Sequence, residues 1–247
     1  IGLEIFDDTE MTDHLGEDLS IKQFAKEHEA GMAPTLLFFG TDKQLVFRAI
    51  GYQSPERFSR ILDYLIGGHF RQATFRDYLR RSQPSLSAAP VDLAPMRDDP
   101  MFIKPPYALS RVPIAASEPL LVIFESSGCA ACEAFHRDVL ALDEVRQLLR
   151  QFEIVRLDAR DDSTPIIGPD GQPTTAAKWF DREGFSRLPA LLYVNETGQA
   201  VFKTDAVIER QRMLNASGLV LDRAYEKGWS YQRFARSRAL ERSATTE

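Results

Sequence analysis

The stretch Leu120-Leu121-Val122-Ile123-Phe124-Glu125-Ser126-Ser127-Gly128-Cys129-Ala130-Ala131-Cys132-Glu133-Ala134-Phe135-His136 decides how this chain is read. Its apolar opening has the length and content of a buried strand. Ser126-Ser127-Gly128 breaks that strand, and the residues that follow regain helical spacing. The only two cysteines, Cys129 and Cys132, fall at the start of that helix. A thiol attacks as its thiolate, and a free cysteine with a pKa of about 8.5 is mostly protonated at neutral pH. Unpaired backbone N–H groups and the positive end of the helix dipole favour the anion at Cys129. Cys132 lies one turn further on roughly the same face, close enough to close a disulfide or resolve a mixed one. Ala130 and Ala131 favour helix and add no charge, so the local field comes mainly from the backbone.

Other uses of the pair are weaker. A purely structural cross-link would close a short loop, which constrains the unfolded chain little. Zinc is disfavoured because no second cysteine pair exists, and His14, His28, His69 and His136 show no ligand spacing. His136 sits one helical turn beyond Cys132, so two sulfurs with an imidazole nearby make a candidate Cu(I) site. The ordinary role of a helix-face histidine is solvated or structural.

Outward from this stretch, 247 residues suffice for two modest domains, and 44% hydrophobic with 27% charged residues is globular composition. A net charge of -6 and a pI near 5.4 give no sign of a nucleic-acid or anionic-membrane partner. No apolar run approaches membrane-spanning length. Ile rather than Met at position 1 raises the expectation of a removed leader or of more protein upstream. Asn195-Glu-Thr197 and Asn215-Ala-Ser217 match glycosylation acceptors, a pattern common by chance.

Residues 1–81 read as strand, helix, strand, strand, helix, helix. Leu3-Glu4-Ile5-Phe6 is a strand candidate, followed by an acidic, turn-rich stretch. Ser20 to Gln23 has capping-box form, and Ile21, Phe24 and Ala25 give its helix one apolar face. Pro34 opens the buried-strand pattern Thr35 to Phe39, which turns into Gln44 to Arg48. Ser54-Pro55-Glu56 caps a helix whose stripe is Phe58, Ile61, Leu62 and Leu65. In 82–119 the composition shifts, with eight of the fourteen prolines, as expected of an extended linker. Within it, Met101-Phe102-Ile103 and Tyr107-Ala108-Leu109 are apolar enough to dock as edge strands. Residues 120–247 continue after the dithiol with a strand at Glu153 to Leu157, a long loop from Asp161 to Pro173, and a helix bearing Trp179 and Phe180. Then come Pro189, the strand Ala190 to Val194, a turn, the strand Gln199 to Lys203, and two closing helices.

A repeat lies inside this order. Pro34 to Arg48 overlies Pro189 to Lys203 at an offset of 155, with six of fifteen pairs identical, and flanking helices follow in the same order. The reading is a duplicated domain in which the first copy lacks an opening strand and helix. Its partner is expected from upstream residues or, by swapping, from another subunit.

Strand, Cys-x-x-Cys at a helix start, strand, helix, then a proline opening a hairpin and a last helix resembles the thioredoxin superfamily. Residues 120–226 resemble it throughout, and residues 1–66 resemble its later half. The long loop and aromatic C-terminal helix look similar to bacterial secreted tandem thioredoxin-like proteins, including those associated with sulfur oxidation. The resemblance implies an α/β, three-layer thioredoxin-like fold: a partial domain at 1–81, a linker at 82–119 and a complete domain at 120–247. It implies that Cys129 is the exposed nucleophile, Cys132 the resolving thiol and Pro189 a cis proline beside the dithiol, with the backbone at Leu188 free to pair with an extended substrate. Thioredoxins usually carry Trp before the first cysteine and Gly-Pro between the two; here Gly128 and Ala130-Ala131 stand there. Their buried acid falls by spacing on Ile123, which leaves Glu125 as the candidate for proton transfer.

The expected function is therefore thiol-disulfide exchange with protein substrates, without metal or organic cofactor and with an unidentified electron donor, in the periplasm or outside the cell by resemblance. The alternatives are a Cu(I) carrier using Cys129, Cys132 and His136, or a redox-silent adaptor.

Overall fold

The computed structural model describes residues 2–5, 7–82 and 98–245. Phe6 of the strand candidate and residues 83–97 of the expected linker lie outside them. The chain divides into two compact units, Ile1–Ala88 with Ser230–Arg233, and Ala89–Trp229 with Phe234–Glu247.

In the first unit, Leu3 to Ile5 form no strand. The strands lie instead in the acidic stretch, where β1 (Glu10–Thr12) pairs antiparallel with β2 (Asp18–Ser20). Met11 and Leu19 face each other there, and the Thr12 hydroxyl donates to Asp18 Oδ1 at 2.7 Å. Helix α1 (Ile21–Glu27) starts where Ser20 Oγ accepts from Gln23 N at 3.2 Å. Strands β3 (Thr35–Phe39) and β4 (Leu45–Ile50) form an antiparallel hairpin, followed by α2 (Pro55–Ile66) and α3 (Phe75–Ser82). Ala49, Ile61, Tyr64 and Phe75 make the core, with Leu36, Phe38 and Phe47 packed on it. The buried Tyr64 hydroxyl is satisfied by Ala73 O at 2.8 Å.

In the second unit, β5 (Tyr107–Ala108) precedes the central strand β6 (Leu120–Glu125). The chain continues through α4 (Ala130–Phe135), a π-helical turn His136–Leu140, α5 (Asp143–Leu149) and β7 (Glu153–Asp158). After β8 (Ile166–Ile167), β9 (Pro173–Thr174) and α6 (Ala176–Arg182) come β10 (Ala190–Val194), β11 (Ala200–Thr204) and α7 (Arg210–Leu221), and then α8 (Tyr231–Thr245), which is counted in this unit from Phe234 on. The sheet order is β11-β10-β6-β7, with β6 and β7 parallel and the other neighbours antiparallel. Residues Leu120 to Phe124 are fully buried, which explains why β6 reads as an unbroken apolar run: both faces are covered. On one face Leu120, Val122 and Phe124 join Trp179 and Phe180 of α6. On the other, Tyr193 of β10 bonds Ser217 of α7, and α7 packs on α5. This is the expected α/β architecture of three layers.

Residues 98–119 run along this unit. Ile103 N donates to Ile154 O at 2.8 Å in a parallel bridge beside β7, and β5 pairs with β8. Arg111 is buried, its guanidinium donating to Leu109 O at 3.0 Å, Glu118 O at 3.3 Å and Glu153 Oε2 at 2.7 Å.

The offset of 155 recurs in local geometry. It carries the bounds of α1 onto α6 and of α2 onto α7. It carries four of the five β3–β4 pairs, Leu36↔Ala49 to Phe39↔Leu45, onto the four β10–β11 pairs, including the register shift at Phe38/Phe39 and Tyr193/Val194. Positive φ at Glu29, Lys43 and Gly68 recurs at Gly184, Gly198 and Arg223, and the bonds before Pro34 and Pro189 are both cis. One difference stands out. β10 has β6 and β11 as neighbours, whereas β3 has only β4 among the described residues.

Candidate active site

Strand β6 delivers the chain to the end of the sheet, and the turn Ser126-Ser127-Gly128 reverses it, with Gly128 at φ 70°. Cys129 then occupies the N-cap of α4, with Cys129 N donating to Ser126 O at 3.3 Å and Cys129 O accepting from Glu133 N at 3.0 Å. Its Sγ accepts from Cys132 N at 3.1 Å, as a capping side chain does. The two sulfurs are bonded, with Cα atoms 5.2 Å apart. Their depths differ: Cys129 is half-buried between exposed Gly128 and Ala130, whereas Cys132 is 4% exposed.

Glu125, the last residue of β6 and the proton-transfer candidate, is only 2% exposed. His136 Nε2 lies 2.8 Å from its Oε1 and 2.9 Å from its Oε2. Only the second contact has hydrogen-bond direction, so Oε1 is buried without a directional partner. His136 opens the π-helical turn, marked by Ala141 N donating to His136 O at 3.0 Å, and such widened turns often occur at functional positions. The Phe102 ring meets the imidazole edge-on at 6.0 Å, and Arg156 lies over that ring at 4.7 Å. Of the two imidazole nitrogens, Nε2 is thus engaged by a carboxylate. Among the described residues no group of three His, Cys, Asp or Glu side chains is arranged to hold a metal ion.

Pro189 follows a cis bond from Leu188. Because Ala190 pairs with Phe124, the β6–β10 ladder puts Pro189 opposite Glu125, at the sheet end from which the Cys129 turn departs. Leu188 packs against the α6-side core. Asp205 Oδ2 accepts from Ser186 N at 2.9 Å, Ser186 Oγ at 3.0 Å and Arg187 N at 3.1 Å, fixing the approach to the cis bond. Arg160 donates to Ser127 O at 3.0 Å and to Ser127 Oγ at 2.8 Å, clasping the turn before Cys129. Neither Asp205 nor Arg160 carries a sequence signal, because each acts on a segment distant along the chain.

The remaining candidates are not drawn into this arrangement. His14 and His28 belong to the first unit, their rings 5.7 Å apart beside Phe24 and Phe39, and burial, with His14 close by, lowers the pKa of His28. Asn195 and Asn215 of the glycosylation-like motifs are buried, at 5% and 7% exposure. Among the described residues no helix is long and apolar enough to cross a membrane.

Residues 108–216 match the family model of the thioredoxin-like domain. That span holds both cysteines, Glu125, His136 and Pro189, and its fold is thioredoxin-like. No curated protein matches the chain. Among solved structures, a thioredoxin-fold protein from Helicobacter pylori is similar at 13% identity and TM-score 0.47, covering 56% of this chain and 89% of its own. The reduced C-terminal domain of DsbD from Neisseria meningitidis is 15% identical with TM-score 0.31, covering 42% and 81%. The disulphide isomerase from Xylella fastidiosa Temecula1 is 20% identical with TM-score 0.26, covering 49% and 79%.

Proposed function

We propose that this chain is a thiol-disulfide oxidoreductase that exchanges disulfides with protein substrates through Cys129 and Cys132. The observation that carries the reading is the bonded pair at the start of α4, one sulfur half-buried and the other sealed beneath it. In the reducing direction the Cys129 thiolate attacks a substrate disulfide, forming a mixed disulfide and releasing one substrate thiolate. Cys132 then gives up its proton and attacks Cys129 Sγ. The 129–132 bond forms, the mixed disulfide breaks, and two electrons have passed to the substrate. Glu125 takes the Cys132 proton, and an extended substrate pairs with the backbone at Leu188 beside Pro189.

The equal offsets of helices, hairpin register and positive-φ positions support a tandem arrangement: a partial thioredoxin-like copy at 1–81, a linker at 82–119 and a complete copy at 120–247. Placement outside the cytoplasm, in the manner of the secreted tandem proteins of sulfur oxidation, extends the resemblance and is checked by cell fractionation.

Insulin reduction tests the activity. Wild type is expected to hasten insulin precipitation in the presence of a thiol reductant, and Cys129→Ser to fall to the reductant-only rate. Equal rates for the two proteins would remove the exchange reading and favour a binding role.

A further inference from the structure

We propose that His136 is a positioning residue for the resolving step, acting through Glu125 to hold that carboxyl group oriented as acceptor of the Cys132 proton. The inference rests on the exchange reading above and adds to it a residue on which the resolving rate depends.

A carboxylate at 2% exposure requires compensation, because an unpaired buried charge is costly. Of the neighbouring cations, Arg146 binds Asp99 through both oxygens, at 2.9 and 3.1 Å, and Arg156 lies over Phe102 with its Nη1 buried and unbonded, making no hydrogen bond to Glu125. Asp158, the β7 neighbour of Glu125, bonds Arg160 N at 3.0 Å, and Glu133 on α4 is exposed. Asp99 senses His136 only weakly, its carboxyl being held below the usual range first by Arg146. His136 is therefore the group that meets Glu125, with Nε2 set between the two carboxylate oxygens.

The fold fixes this meeting from three sides. Glu125 ends β6, His136 stands four residues after Cys132 on the same helical run, and Phe102 closes over the imidazole. Side chains at i and i+4 are neighbours, with Cβ atoms about 5–6 Å apart, so the imidazole lies one turn behind the buried sulfur. Oε1, near the imidazole yet without a directional bond, is the open acceptor. When Cys132 attacks, its S–H proton passes to Glu125, the S–S bond to Cys129 forms, and the substrate thiolate leaves and is protonated from the pair or from water.

The test uses the reduced full chain and Ellman's reagent, which releases one coloured thiolate when Cys129 attacks and a second when Cys132 resolves the adduct. His136→Gln is expected to leave the first phase within about twofold and to slow the second about a hundredfold at neutral pH. Glu125→Gln is expected to do the same, and the double variant to be no slower than Glu125→Gln alone, because one residue acts through the other. An unchanged second phase in His136→Gln, or additive losses in the double variant, would overturn the proposal. If circular dichroism shows that the variants do not fold, NMR titration of the His136 imidazole in the wild-type protein decides. A midpoint that moves when the disulfide is reduced supports the coupling, and identical titrations overturn it. Absence of the first phase in wild type would remove the exchange reading itself.

Discussion

Reducing the Cys129–Cys132 bond is expected to lower the stability of the second unit by no more than about 2 kcal/mol. The magnitude follows from loop length. The sequence separation of the cysteines is 3, so the bond closes a loop of four residues. For such a loop the chain-entropy relation gives about 6 cal/mol/K, or about 2 kcal/mol at 25 °C, against about 4.7 kcal/mol for a hundred-residue loop. The reduced state also regains something. Cys129 keeps the N-cap position, and a thiolate there interacts with the helix dipole by about 0.3–1 kcal/mol. By the linkage of stability and potential, about 1.4 kcal/mol per 30 mV, the couple should lie within about 40 mV of an unfolded dithiol, easily switched by exchange. Urea unfolding of the full chain, oxidised and in excess dithiothreitol, measures the difference. Trp179 and Trp229, the only tryptophans, both lie in the second unit, so their emission reports on it alone. An oxidised form more stable by above about 4 kcal/mol would mean that the bond is a structural clamp, and the reasoning from loop length would be refuted.

Three further outcomes are expected. The Arg111 side chain is 1% exposed while that of Glu153 is 41% exposed, so Glu153→Ala, which strands the buried cation, should cost about 3 kcal/mol and Arg111→Met only about 1–2; a reversed order in urea midpoints would show that the exposed partner contributes little. At Gly198, φ is +90° and a Cβ would stand 2.8 Å from Pro169 O, so Gly198→Ala should cost about 2 kcal/mol or more, whereas Lys43→Gly at the matching position should be neutral or gain up to about 1 kcal/mol; calorimetry of both variants checks the contrast. Bonds from Thr164 and Ser163 hold the Asp161 carboxyl well below its ordinary value, so its contribution is present above the ordinary carboxylate range and lost as pH falls toward the lowered value. The stability gap between wild type and Asp161→Asn, read by urea unfolding, should therefore narrow steadily below about pH 4, and a constant gap would contradict the assignment.

Much of the fold was legible because its signals are local. The unbroken apolar run of β6, the Ser54-Pro55 start of α2 and the proline-led hairpins each belong to one short stretch, and the offset of 155 follows from comparing the chain with itself. The dithiol was legible for the same reason. The surroundings of the site were not. Glu125 was legible as a candidate acid, but periodicity could not tell that it is buried or that His136 of the π-helical turn meets it. Arg160 on Ser127 and Asp205 on the Ser186 loop span 33 and 19 residues, distances over which spacing carries no information. Leu3 to Ile5 had strand-forming residues but no strand partner among the described residues, and a strand exists only as a pair, so β1 and β2 formed where Met11 met Leu19.

The unequal depth of the two sulfurs gives the reduced protein a built-in address. A limiting dose of an alkylating reagent would tag Cys129 and spare Cys132. One molecule could thus be labelled at a single known atom, or baited with Cys132 replaced to hold on to whatever it meets, without any engineered handle.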